Sequence, residues 1–262
     1  MKKFTKLTAF ALALVMALGL LAGCGGSNSD NSTPSGDDAS DAAKTKLVVA
    51  TSPDFPPFES LEGGEVVGIE VDILNKIAEK MGMELDIQQM DFDSVIPGVQ
   101  AGKFDVGMSG ITVTDKRKEN VDFSSVYFMA AQAIVVTADS GITGKADLEG
   151  KKVSVQTGTT AEEYCMGNGY EVLAFTANND AAAALTAGKV DAWVVDNEVA
   201  LAMAPELGLS VLDEAMTSEP YAFAFQKGSE LVAPFNEALD ALLADGTVEK
   251  IFQQYGVTYI AP

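Results

Sequence analysis

Histidine is absent from this 262-residue chain, arginine and tryptophan occur once each, and cysteine occurs twice. The missing histidine removes the commonest general base and the commonest metal ligand. With Cys24 and Cys165 as the only thiols, a zinc site and a Ser-His or Cys-His nucleophile are unavailable. No metal and no cofactor is expected. Basic residues are also scarce: 17 Lys and Arg stand against 38 Asp and Glu, a net charge of −21. Such a surface repels nucleic acid and anionic lipid, so neither is expected as a direct partner. The acid reads as a solubilising coat and carries no information about substrate.

Long apolar runs are missing too, apart from one at the N-terminus. Lys2, Lys3 and Lys6 precede an uncharged stretch from Leu7 to Ala22, which falls short of the roughly 20 residues that span a bilayer. Residues 1–23 read as a signal peptide. From Gly25 to Thr45 the chain is rich in Gly, Ser, Asn and Asp and holds no large aliphatic residue. It cannot bury enough surface to fold, so residues 24–45 read as a flexible tether. With Cys24 assigned to the processing site, Cys165 is left without an intramolecular partner, and stability must come from the core.

Residues 46–262 show alternating strand and helix patterns. Lys46 to Thr51 is a short β-branched run that opens into the turn-rich S-P-D-F-P-P-F. Val71, Ile73, Leu74, Ile77, Ala78 and Met81 recur at helical spacing before Gly82. A strand near Leu85 to Gln89, a helix from Ser94 to Gln100 and a strand from Asp105 to Met108 follow. The same order restarts after Gly150: strand Lys152 to Gln156, helix from Thr160, strand Glu171 to Phe175, helix Asp180 to Ala187, strand Val190 to Val195. This grammar predicts an α/β fold with mainly parallel sheets.

The two halves share a sequence echo. AGKFDVGMSG begins at Ala101 and AGKVDAWVVD at Ala187. In each copy a helix stops at Gly and feeds an apolar strand, and the fifth residue beyond the shared Asp is Gly110 or Asp196. Ligands of open α/β sheets bind outside the carboxyl ends of strands, which makes both positions candidates. Phe123 to Gln132 leads from the first unit into the second and Glu219 to Phe225 leads out. Two crossing strands predict a hinge. Two closing helices are expected, one through Leu231, Phe235, Leu239, Leu242 and Leu243, the other from Val248 to Tyr255.

Several motifs carry a family resemblance: T-S-P-D-F-P-P-F-E, S-G-I-T-V-T-D-K-R, V-D-F-S, D-L-E-G-K-K-V-S-V-Q-T-G-T, A-G-K-V-D-A and the final A-D-G-T. In order and spacing they resemble the solute-binding proteins of polar amino-acid ABC importers, over essentially all of Lys46 to Pro262. The resemblance implies a two-lobed, periplasmic-binding-protein-like (type II) fold with a ligand cleft between the lobes and a two-strand hinge. Lobe 1 would comprise residues 46–128 and 222–262, and lobe 2 residues 129–221. Leu21-Ala22-Gly23-Cys24 resembles a lipobox. It implies lipidation of Cys24 and tethering outside the membrane of a Gram-positive-type bacterium by the lipid alone. A monomer is expected. The implied partners are a free polar or basic L-amino acid and ABC permease subunits.

A free amino acid carries a carboxylate and an ammonium, and removing both from water costs several kcal/mol per ion unless each is paired. Arg117, the sole arginine, suits the carboxylate because its planar fork binds bidentately and stays charged. The competing role is a surface pair with Asp115 or Glu119. Asp196 ends the apolar run A-W-V-V-D and is placed by the resemblance at the α-amino group; capping the following helix is the competing role. Ser109, Gly110 and Thr112 form a turn that backbone could bring close to a ligand. The T-G-T-T run offers free N–H groups at a helix start, and the resemblance adds Thr160 as a second grip on the carboxylate. Phe55 and Phe92 would flank the ligand, while Phe58 serves equally well as core.

Gln156 stands where some glutamine binders carry Lys, and Ser52 stands where relatives that grip basic or amide side chains carry Asp. Asp54, Glu59 and Asp93 could face a cationic side chain or be solvated loop acids. Two other functions compete. An exported cyclohexadienyl-type dehydratase shares the fold, but its acid–base work would fall on Glu163, Glu198 or Asp196, none of them marked by the sequence. A sensory ectodomain would continue into a transmembrane helix, whereas this sequence stops at Pro262.

Overall fold

The computed structural model describes residues 45–262. The expected signal peptide, Cys24 and the tether up to residue 44 lie outside the described residues. Among the described residues no helix is long and apolar enough to cross a membrane.

The chain opens with β1 (Lys46–Thr51) and three short strands, β2 (Asp54–Phe55), β3 (Glu59–Glu62) and β4 (Glu65–Val67). The last three form a small antiparallel sheet where sequence suggested only a loop. Gly63 and Gly64 both take positive φ and turn β3 into β4, the conformation that two-residue hairpin turns require. Helix α1 (Ile69–Met81) buries Val71, Ile73, Leu74, Ile77 and Ala78. Its backbone stops at Gly82 in the left-handed region, as the pattern predicts. Next come β5 (Glu84–Gln89), α2 (Phe92–Gln100), β6 (Val106–Gly107), the single turn α3 (Asp115–Lys118) and β7 (Val121–Phe123).

β8 (Phe128–Ala130) and β9 (Gln132–Val136) carry the chain out of this unit. The second unit adds β10 (Lys152–Gln156), α4 (Thr160–Gly167), β11 (Glu171–Phe175), α5 (Asn178–Thr186), β12 (Ala192–Asp196), α6 (Asn197–Met203) and β13 (Ser210–Val211). β14 (Glu219–Tyr221) and β15 (Ala224–Gln226) lead back, followed by α7 (Val232–Ala244) and α8 (Thr247–Gln254).

Two five-stranded sheets result, ordered β5-β1-β6-β15-β7 and β11-β10-β12-β9-β13. Each is parallel over its first three strands and antiparallel beyond. The expectation of mainly parallel sheets thus holds for half of each. The departure has a topological cause, because β9 and β15 arrive from the crossing segments and not through a βα crossover. Between the sheets, β8 and β14 pair antiparallel, joining Phe128 to Tyr221 and Ala130 to Glu219. Phe58 is fully buried and packs against Phe128, Tyr221 and Phe252, so its role is core.

The sequence echo proves to be a matched pair of structural joints. Gly102 and Gly188 both take positive φ after a helix, and Lys103 and Lys189 N–H reach back to Gly98 and Ala184 carbonyls. The shared aspartates then do the same work. Val48 N–H donates to the Asp105 carboxylate and Lys152 N–H to that of Asp191, each at 2.8 Å. Each aspartate thereby clamps its strand entry onto the neighbouring parallel strand, β1 or β10.

Candidate functional site

The carboxyl ends of β1, β6, β10 and β12 face a narrow cavity of about 20 Å³ between the two sheets. Phe55, Phe92, Ser109, Gly110, Thr112, Arg117, Gln156, Thr160 and Asp196 all line it. The structure therefore brings together the nine residues named from sequence for ligand binding, which lie up to 141 positions apart.

Arg117 sits on α3, whose start is capped by Thr114: the Thr114 hydroxyl accepts the Arg117 N–H at 3.1 Å. Its Nη1 donates to the Thr112 carbonyl at 2.9 Å and its Nη2 to the Gly158 carbonyl at 3.1 Å. The second bond crosses from the first sheet's unit to the second. Phe92 stacks under the guanidinium with 5.6 Å to its ring centre. No ion pair with Asp115 or Glu119 forms; among the described residues Asp115 pairs with Lys118 instead. Burial lowers the guanidinium pKa, and the charges of Glu163, Glu219 and Asp196 oppose that shift.

Asp196 closes β12 and is buried. It precedes α6, yet its side chain makes no cap hydrogen bond there. The carboxylate instead accepts the Tyr221 hydroxyl and the Gln132 side-chain amide. Burial pushes its pKa up to about 7; the Glu219 charge adds to the rise, while Tyr221, Arg117 and Gln132 hold it down. Gln132 also donates to Thr160 Oγ1 at 3.2 Å, which links Asp196 to the start of α4. There Thr159 serves as N-cap, accepting the Glu162 N–H at 3.2 Å.

Gly110 occupies the left-handed region at φ 53°, and a Cβ there would lie 2.5 Å from the Phe55 ring. Both facts demand glycine. Gln156 donates to the Thr176 carbonyl at 3.0 Å and accepts from the Asn178 side chain at 2.8 Å. Of the loop acids left open by sequence, Asp54 bonds across the cleft to the Asn178 N–H at 2.7 Å. Glu59 is fully buried behind Ser109, and Asp93 is exposed beside Gly158.

Sequence reasoning missed Gln132, Tyr221, Asn178 and Glu219. Glu219 is buried with Oε2 lacking any donor, close enough to Asp196 and Arg117 to act on both. Three of the four sit on the crossing strands or at their ends, where the pattern announced only a hinge. A glutamine in the apolar run A-A-Q-A-I-V-V was the available signal. Cys165 is buried and unpaired, and burial pushes its thiol up to about 12, so it is inert.

The family model for bacterial extracellular solute-binding proteins, family 3, matches residues 47–258. The arginine-binding extracellular protein ArtP of Bacillus subtilis is 35% identical over 243 residues, covering 90% of this chain and 92% of ArtP. The ABC transporter glutamine-binding protein GlnH of the same organism is 33% identical over 264 residues, covering 95% and 97%. An ancestral arginine-binding protein solved with arginine superposes at a TM-score of 0.76 with 41% identity, covering 81% of this chain and 98% of that one. These relatives are binding proteins and not enzymes, and they share the two-lobed type II architecture. The chain belongs to the bacterial extracellular solute-binding proteins, family 3.

Proposed function

We propose that the chain is a lipid-anchored extracytoplasmic receptor that binds a free polar or basic L-amino acid and hands it to the permease subunits of an ABC importer. One observation carries this reading: Arg117 and Asp196, of opposite charge and from opposite sides of the cleft, line one cavity. A free amino acid carries both complementary charges within a few bonds. Arg117 has spare donors, since two of five guanidinium N–H groups meet carbonyls. Thr160 at the start of α4 supplies the second grip on the ligand carboxylate. Asp196 takes the ammonium. Phe55 and Phe92 flank the ligand's apolar atoms, with Ser109, Gly110, Thr112 and Gln156 lining the remainder. Relatives named for arginine and for glutamine support a polar or basic ligand.

In this reading residues 46–128 and 222–262 form lobe 1 and 129–221 form lobe 2, with β8 and β14 as the hinge. The protein acts as a monomer on the outer face of a Gram-positive-type membrane, held by lipid on Cys24. The Cys24→Ser variant should be released into the soluble fraction of cells; retention with the membrane would contradict the anchor.

The ligand is tested by melting refolded residues 46–262 against the twenty amino acids. A ligand at about a thousand times its Kd adds about 4 kcal/mol, which raises Tm by roughly ten degrees in a domain of this size. Arginine, glutamine and their chemical neighbours should give the shift. A flat response to all twenty would overturn the proposal.

A further inference from the structure

Behind the cavity, lobe 1 holds two glutamates that the binding reading does not use. Glu59 opens β3, Glu70 lies in the first turn of α1, and both are 0% exposed. Neither carboxyl forms an ion pair among the described residues. Both reach the turn that lines the cavity. Ser109 Oγ donates to Glu59 Oε1 at 2.9 Å, and Gly110 N–H donates to Glu70 Oε2 at 2.8 Å. The other Glu70 oxygen accepts the Tyr127 hydroxyl at 2.5 Å. Glu59 Oε2 finds no donor, and the Glu70 carboxyl is close enough for its charge to act on Glu59.

We propose that Glu59 and Glu70 share one proton, and that this protonated acid pair is the positioning element that fixes the Ser109–Gly110 turn for ligand. Two adjacent buried carboxylates cannot both ionise without a cation. A proton on Glu59 Oε2 removes the repulsion and gives the orphaned oxygen a bond to donate. The two Glu70 oxygens accept the Tyr127 O–H and the Gly110 N–H. The surroundings favour this form. Burial, then the charge of Glu70, raise Glu59 well above the carboxylate range, with Asp54 adding to the rise and the Ser109 hydroxyl opposing it. Burial and Glu70 likewise raise the Tyr127 hydroxyl, which stays a donor. A ligand thus meets a turn whose Ser109 hydroxyl and Gly110 amide are already committed to the acid pair.

The value of this pair to binding rests on the amino-acid reading, but its proton and its hold on Gly110 are measurable without ligand. Ligand-free residues 46–262 should show an infrared carbonyl band of a protonated, buried carboxylic acid at pH 7, absent from Glu59→Gln. The Gly110 amide should be protected from hydrogen exchange at pH 7 and lose protection as alkali removes the shared proton. Glu59→Gln, whose amide can donate to Glu70 permanently, should keep that protection to higher pH. Glu59→Ala should lose protection by about tenfold or more, the scale of leaving one buried partner unpaired. With L-arginine and L-glutamine as probes, Glu59→Gln should bind within a few-fold of wild type and resist alkaline loss of affinity. A missing acid band, or identical alkaline profiles of Gly110 in wild type and Glu59→Gln, would overturn the acid pair. Intact ligand-free signatures with no binding of any amino acid would instead overturn the binding reading alone.

Discussion

Asp196 shows how one side chain can couple binding to pH. Burial raises its pKa to about 7, so near neutrality it is partly protonated. A ligand ammonium favours the charged form, and binding must expel the proton. Affinity is therefore complete above pH 7 and falls as pH drops through 7, approaching tenfold per pH unit once Asp196 is mostly protonated. The stability of the empty protein runs the other way. An acid whose folded pKa is raised contributes stability below its unfolded value near 4, and this is lost as pH rises through 7. Titration calorimetry from pH 5 to 8 should show the affinity slope in wild type and little of it in Asp196→Asn, which should also bind more weakly throughout. A slope shared equally by both proteins would place the titrating group elsewhere.

At the scale of elements, α5 lacks a cap of its own. Its N-cap position is Ala177, which has no side-chain acceptor. The first N–H of the helix, on Asn178, donates to Asp54 from the opposite lobe at 2.7 Å. Asp54 also meets Ser52 Oγ at 3.0 Å and the Gln156 amide at 3.3 Å. Burial raises its pKa, and these bonds, led by the one to Asn178, pull it back. A cap contributes about 1 kcal/mol, here gained only when the lobes meet. Asp54→Ala should therefore weaken ligand affinity by roughly fivefold to tenfold while the Tm of the ligand-free protein stays within about a degree. A fall in the ligand-free Tm as large as the loss of affinity would mean that Asp54 stabilises lobe 1 alone. Sequence could not show this cap, because Asp54 and Asn178 lie 124 residues apart. Local signals were readable: Gly82 ended α1, and Lys152–Gln156 and Glu171–Phe175 fell where β-branched runs placed them. Nine of the residues lining the cavity were readable through the family resemblance, which encodes tertiary placement. Gln132, Tyr221 and Glu219 were not, because crossing strands advertise packing and not the direction of a polar side chain.

For the molecule as a whole, the question is what holds two lobes together when the short β8–β14 pair lies between their sheets. The bonds across the cleft are few and polar. Asp54 meets Asn178 and Gln156, Lys116 pairs with Glu163 at the exposed rim, and Arg117 reaches Gly158. An exposed pair such as Lys116–Glu163 contributes at most about 1 kcal/mol. Arg117 differs because its guanidinium is drawn out of water and compensated by distant carboxylates without a direct carboxylate partner. A ligand carboxylate held by Arg117 and Thr160 supplies that partner and spans the lobes, so its binding energy is realised only in the closed form. Arg117→Ala should then remove two effects together. Ligand at millimolar concentration should contract the wild-type radius of gyration measured by X-ray scattering, whereas the variant should neither contract nor gain Tm. A variant that still contracts with ligand would show that Asp196 and the aromatic walls suffice to drive closure, and Arg117 would be reduced to a structural tie between Thr112 and Gly158.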